Sequence, residues 1–367
     1  MPLTEEQQFT PDWFSKPGDS LLSLMRRRNV TASQLADTLD GGMEWLRGLL
    51  AGSITIDARI ARNLARAVGG TDEFWLKRQA NYEKALERAV SAIFDVEGEQ
   101  LLGQIPAPDG KSIGHFGEVR KREELRRRLA FFGVSNLRGW NSRYGYLRSC
   151  TQFRTSPSFL SDERAVARWL RFGEIEAALT STKPWNPNVL REKLSEIRKL
   201  SRISHPARFL PKLKNLCAEA GVAVVVLRAP KGCRASGATR RVADRAMILL
   251  SFRFRADDQF WFTLFHEIGH LLLHDAQTFI DDDETLEDER EQEANAFASN
   301  CIIPKERQTE FEHLPLDRTA ILRFSISLGI APGLIVGQMQ HRGTIGREHF
   351  NKLKRHWTWD QIEPALG

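Results

Sequence analysis

Chemistry in this 367-residue chain concentrates in five consecutive positions, His266-Glu267-Ile268-Gly269-His270. On a helix, residues four apart lie on one face, displaced ~6 Å along the axis. Two imidazoles so placed can both reach one cation at a Zn–N distance of ~2.0–2.1 Å. Glu267 sits beside the first imidazole, close enough to reach a water held there without being a ligand. The chemistry this allows is metal-assisted hydrolysis. The cation polarises a carbonyl and lowers the pKa of water toward ~7, while Glu267 takes the proton and passes it to the leaving group.

A helix must present these groups. Phe260, Trp261, Phe262, Leu264 and Phe265 precede them and Leu271, Leu272 and Leu273 follow, which predicts a helix from about Asp258 to His274, buried on its other faces. Reading the pair as two core histidines would strand Glu267 in an apolar setting, which is costly. H-E-x-x-H on a helix is the arrangement of zinc peptidases.

A third ligand is needed. His274 lies ~12 Å beyond His266 on an unbroken helix, too far for one ion to bond both. It reads instead as a helix C-terminal residue or an outer partner. Beyond an acidic loop, residues 290–298 are helical in composition and stop at Pro304. Either Glu291 or Glu293 on that helix could face the histidines. From Asp275 to Glu293 there are 10 Asp/Glu against one Arg, read as a solvated loop that includes Asp281, Asp282, Asp283 and Glu284.

The elements upstream change character near residue 206. Pro211 to Ala220 reads as a helix. Gly221 to Leu227 is a continuous β-branched run, hence a buried strand. Ala235 to Arg241 and Ala246 to Phe252 are further strand candidates. The segment Ser236, Gly237, Ala238 and Thr239 would pair its edge with an extended substrate. No clear oxyanion donor is visible, because the only tyrosines, Tyr82, Tyr144 and Tyr146, lie far upstream. Arg240 and His341 are weak candidates. Cys233, just before this strand, reads as an inert small residue, with a redox-sensitive thiol as the alternative.

Residues 14–70 read as short helices. Thr31 with Gln34 fits a capping box that opens a helix from Ala32 to Leu39. Gly41-Gly42 breaks it, and Trp45, Leu46, Leu49 and Leu50 follow at helical spacing. Gly52 ends that helix, and Asp57 starts another through Ala67. A short helix, a Gly-containing turn and a second short helix is the helix-turn-helix plan. TASQLADTL, WLRGLLAG and ARNLARAVGGTDEFWLKRQANY resemble the Xre/Cro-type DNA-binding domains, and within them the HigA antitoxin branch, over roughly residues 15–85. The recognition helix departs from that pattern. Its N-terminal end should offer polar side chains to base edges, yet it is Gly42, Met43 and Glu44, with Arg47 the only cation inside. Met43, Glu44 and Arg47 are the candidate DNA contacts. The competing reading is a protein-protein or dimerisation module on the same scaffold.

Between them, residues 85–105 begin helical and lose pattern toward a Gly/Pro-rich linker at 103–111. Residues 116–205 look mostly helical. Residues 111–215 carry 23 Lys/Arg against 9 Asp/Glu, a net +14 inside a chain of net charge +6. Arg126, Arg127 and Arg128, with Phe131, Phe132, Trp140, Tyr144 and Tyr146, suggest a helical region with one basic face. The expected fold class is α+β and mostly helical: a helix-turn-helix domain at 1–95, a linker and basic helical region at 96–205, a zincin-like peptidase core with a short sheet at 206–310, and a C-terminal helical subdomain at 311–367.

Composition excludes several classes. Hydrophobic residues make up 41% and charged residues 27%, which rules out collagenous and largely disordered chains. No apolar run approaches the ~18 residues of a membrane span. The N-terminus is polar and acidic, without the apolar stretch of a secretory signal. Cys150, Cys217, Cys233 and Cys301 are too few and scattered for a disulfide framework. A cytoplasmic chain with reduced thiols is expected.

HEIGHLLLH, then EQEANAFA, then IIP resemble the ImmA/IrrE metallopeptidase family. SGATRR and DDQFWFTLF upstream, with GIAPGLIVGQMQHRG downstream, are similar to its branch fused to HigA-like domains; the resemblance covers roughly residues 115–355. It implies a gluzincin-like site with His266, His270 and Glu291 on the metal and Glu267 as the base, since the third ligand of that family falls four residues before the Asn of the second motif. Glu293 is then an outer or solvent-facing residue. It implies Zn2+, with Mn2+ as the alternative ion. It also implies a regulatory endopeptidase that cuts a protein partner, an Xre-type repressor, in stress response or mobile-element and toxin-antitoxin control, with DNA as a further partner of the N-terminal domain. An oligomer is compatible with all of this. The alternative is a DNA-binding regulator or antitoxin-like protein whose peptidase fold serves as a sensor.

Overall fold

A buried β-branched run lies at the centre of the C-terminal half. In the computed structural model, which describes residues 14–111, 117–145, 162–242, 244–274 and 284–365, β1 (Val222–Val226) is buried at every position. It pairs in parallel with β3 (Arg245–Leu250), Val224 opposite Ile248. β2 (Gly237–Val242) runs antiparallel on the other side of β3, Thr239 opposite Ile248. The order is therefore β1-β3-β2, and β2 is an edge strand. A parallel pair buries both faces, and helices cover them here. The chain divides into two compact units, Met1–Arg148 and Ser149–Gly367.

In the second unit, α8 (Glu163–Leu179) covers one face of the sheet. A Cβ on its Gly173 would fall 2.6 Å from Leu249. The opposite face carries α11 (Asp257–Leu273), the expected histidine helix, with Trp261, Leu264, Phe265 and Ile268 fully buried. Around these lie α9 (Pro187–Lys199), α10 (Pro206–Glu219), α12 (Glu284–Ile302), α13 (Gln308–Glu312), α14 (Arg318–Leu328), α15 (Pro332–His341) and α16 (Trp359–Ile362). α10 starts one turn earlier than the sequence suggests, because Pro206 suits a first helical position.

The C-terminal segment closes on the start of α11. Ala256 bridges His356, and Trp357 Nε1 donates to the Ser204 carbonyl at 2.7 Å. Lys354 Nζ donates to Asp258 Oδ2 at 2.6 Å. Asp257 is fully buried; its Oδ1 accepts from the Arg355 amide at 3.1 Å, and among the described residues its Oδ2 has no hydrogen-bond partner. Burial pushes the Asp257 carboxyl up to about 6, with the neighbouring Asp258 adding to the rise against the pull of Arg355. A folded-state pKa above the unfolded one means that ionising Asp257 costs stability. That cost is absent below about pH 4, grows up to about pH 6 and then stays constant. Asp257→Asn is expected to raise stability by on the order of 2 kcal/mol at neutral pH and to leave it unchanged near pH 4, as read from urea midpoints.

The first unit is helical: α1 (Pro17–Arg28), α2 (Ala32–Ala36), α3 (Gly42–Ala51), α4 (Ala58–Val68), α5 (Asp72–Gln104), α6 (Glu118–Phe132) and α7 (Leu137–Tyr144). The capping box forms, with the Gln34 amide donating to Thr31 Oγ1 at 3.2 Å and the Thr31 amide to Gln34 Oε1 at 2.9 Å. Helix α2 is shorter than the expected Ala32–Leu39. The loss of pattern expected over residues 85–105 is not seen. Tyr82, Leu86, Val90 and Ile93 form a buried stripe, and α5 runs for 33 residues.

Helix α6 packs on α5, so residues 118–145 fold with the N-terminal helices and the expected 96–205 region is divided between the two units. The arginine run does not form one basic face. Arg128 is buried, its Nη1 donating to the Leu102 and Ile105 carbonyls at 2.6 Å each and its Nε to Glu124 at 2.8 Å. It satisfies carbonyls at the end of α5. Arg127 pairs with Glu124 and Asp109. Phe132 meets Trp140 and Tyr144 edge-on, at 5.0 and 5.3 Å between centroids, inside this core. Tyr146, Cys150 and Asp281–Asp283 lie outside the described residues.

Candidate metal centre and its general base

Helix α11 holds His266 and His270 one turn apart with their Nε2 atoms 2.9 Å from each other. Helix α12 crosses it at Gly269, where an added Cβ would lie 3.2 Å from the Ala294 Cα. A side chain at that position would wedge the helices apart, so the glycine inside H-E-x-x-H is what lets α12 approach. That approach brings Glu291 to 3.3 Å from Nε2 of both histidines. Ligand atoms of His266, His270 and Glu291 all lie within 4.8 Å of one another. Glu293, the other candidate from the sequence, faces away from this point toward His274, at 2.9 Å.

The protonation pattern fits a cation. His266 Nδ1 lies 3.0 Å from Asn295 Oδ1 and donates to it, which leaves Nε2 as a lone pair. Although burial disfavours a charged imidazole, the Glu291 carboxylate facing it and the nearby Glu267 charge raise the His266 pKa. Burial likewise opposes ionisation of Glu291, yet the imidazoles of His266 and His270 facing it hold the carboxyl well below its usual range. Lone pairs and a carboxylate converging in this way call for positive charge, and His2Glu is a donor set that suits Zn2+. Glu291→Ala is expected to weaken Zn2+ binding by more than ~100-fold, beyond what loss of an outer partner causes, in a chelator competition.

Glu267 points to the side of α11 that faces β2. It is 6% exposed, and burial raises its pKa against the opposing pull of His266 and His270. Gly237 lies directly against it: a Cβ there would fall 2.5 Å from Glu267 Oε1 and 2.7 Å from Thr263 Cγ2. Thr239 Oγ1 donates to the Glu267 carbonyl at 3.2 Å. The far end of α11 is fixed by Arg191 Nη2, which donates to the Leu272 carbonyl at 3.1 Å.

Residues 217–326 match the family model of the IrrE N-terminal-like domain, peptidase M78. This segment is a metallopeptidase-like domain, and it contains all four residues of the site. No match was found among curated proteins or among solved structures. The IrrE N-terminal-like segment begins inside α10 and ends inside α14. Both α15 and the segment that closes over Asp257 lie beyond it.

Other sequence candidates fall elsewhere. Arg240 forms an ion pair with Glu174 of α8, on the sheet face opposite α11, so it is not aimed at the site. His341 meets Phe262 at a tilt, 5.8 Å between centroids, and Phe262 in turn stacks on His266 at 6.4 Å. The Cys233 thiol is buried and its pKa raised by that burial, so it is poorly suited to redox sensing. Met43 is half-buried on α3, and Glu44 and Arg47 pair with each other at 2.7 Å. Sequence reasoning assigned no role to Asn295, although its place one turn after Glu291 puts both on one helix face.

Proposed function

We propose that the chain is a regulatory zinc-dependent endopeptidase of the ImmA/IrrE type that hydrolyses a peptide bond in a protein partner, a repressor with a helix-turn-helix domain. The observation that carries this reading is the convergence of His266, His270 and Glu291 beside the buried carboxylate of Glu267. These residues would hold Zn2+, which when bound supplies a Lewis acid for water and for the scissile carbonyl. Glu267 accepts the proton of the attacking water on a carboxylate oxygen and delivers it to the leaving amine. Its raised pKa suits both steps. The free edge of β2, from Ser236 through Thr239, pairs with the extended substrate and sets the scissile bond next to Glu267.

The N-terminal helices serve to find the partner, either the repressor itself or DNA. The Glu44–Arg47 pair favours protein recognition, since it sets a carboxylate beside the one cation of α3. Among the described residues no single helix is long and apolar enough to cross a membrane. The test is incubation of the Zn2+-loaded protein with Xre-type repressors encoded nearby. A discrete cut by the wild type, absent with a chelator present, supports the proposal. Intact repressors in both lanes, with DNA binding retained, favour the regulator whose peptidase fold is a sensor.

A further inference from the structure

His274 leaves α11 in an extended conformation, φ −116° and ψ 142°. Its ring turns back over the last turn of the helix. His274 Nδ1 lies 3.1 Å from His270 Nδ1, and His274 Nε2 lies 2.9 Å from Glu293 Oε2. The His274 side chain is 6% exposed and that of Glu293 64%. Donor and acceptor roles follow from what each group can do. A carboxylate only accepts, so His274 Nε2 carries the hydrogen. The Nδ1 of a neutral His274 then only accepts, and His270 Nδ1 must donate to it. His270 Nε2 is left as a lone pair, and it is the atom that faces His266 and Glu291.

We infer that Glu293 and His274 form an outer relay that selects the metal-binding tautomer of His270. The inference rests on reading His266, His270 and Glu291 as a metal site. Both relay members are positioning residues, not ligands. A helix-capping histidine would give a ring N–H to carbonyls of the last turn. Both ring nitrogens of His274 instead engage His270 and Glu293. The two ligand histidines are thus supported differently. His266 is held by a neutral amide, Asn295, while the support of His270 ends in a carboxylate.

Zn2+ affinity of the full chain, measured against a chromophoric chelator with no peptide present, tests the relay. His274→Ala is expected to weaken binding by ~10–100-fold. Glu293→Gln still offers an acceptor oxygen but no charge, and loses less. The double variant binds no more weakly than His274→Ala alone, because Glu293 acts through His274. His274→Gln, which can accept from His270 Nδ1, recovers part of the loss. Histidine nitrogen NMR of the metal-free protein should show hydrogen on His270 Nδ1 in the wild type and its loss from that atom in His274→Ala. Unchanged affinity in His274→Ala, additive losses in the double variant or an unchanged His270 spectrum overturns the relay and leaves the metal site standing. A wild type that binds no Zn2+ overturns both. If His274→Ala does not fold, the exposed Glu293→Ala decides alone: affinity equal to wild type overturns the relay.

Discussion

Replacing Glu267 with Gln is expected to slow peptide hydrolysis by ~10²–10⁴-fold while Zn2+ affinity changes little. The substitution keeps the shape of the side chain and removes its ability to take a proton. Glu267 contributes none of the three ligand atoms that converge on His266, His270 and Glu291, so the ion loses no bond. Glutamine also suits the site sterically, since Glu267 is buried between α11 and β2 and a smaller residue would leave a void. Loss of this buried charge relieves a desolvation cost, as its raised pKa indicates, so the variant should be at least as stable as the wild type. The loss should appear in kcat with KM largely retained, the signature of an interaction made in the transition state. An equal rate in both proteins would remove Glu267 from the chemistry. Loss of rate together with loss of metal would make it structural.

Local features of the chain were legible because their physics is local. The i, i+4 histidines, the apolar flanks of α11, the β-branched β1 and the Thr31–Gln34 cap each depend on residues within about one or two turns. The choice between Glu291 and Glu293 was not legible from spacing, because the azimuth of α12 depends on how it crosses α11 at Gly269. The extent of α5 was hidden because it packs on α6, which lies across the Gly/Pro-rich stretch that reads as a linker. Arg128 misled for the same reason. A cation in a run of cations reads as solvated face until its acceptors, the carbonyls of Leu102 and Ile105, are seen. Arg240 is a further case, since strand alternation assigns its face only once the register of β2 on β3 is fixed.

Gly237 is where strand and helix become one site, and Gly237→Ala is expected to lower peptide hydrolysis by ~10²-fold or more. The new Cβ would lie 2.5 Å from Glu267 Oε1 and 2.7 Å from Thr263 Cγ2. Real carbon contacts do not come that close, so one partner must move. Glu267 cannot turn toward the core, where Trp261, Leu264, Phe265 and Ile268 are packed. Its remaining course is to swing along β2, away from the histidines, and this displaces the atom proposed to handle the proton. Otherwise β2 shifts outward, which loosens the pairing of Gly237 with Leu250 and moves the edge proposed to receive the substrate. Both adjustments misplace the base relative to the scissile bond, and misplacement by ~1 Å costs about that factor. Metal affinity should survive, because Gly237 touches no ligand. Gly237→Ala and Glu267→Gln should also combine non-additively, since both act through one carboxylate. The double variant is therefore expected to be no slower than Glu267→Gln alone. If its losses multiply, Gly237 serves the substrate edge and not the position of Glu267.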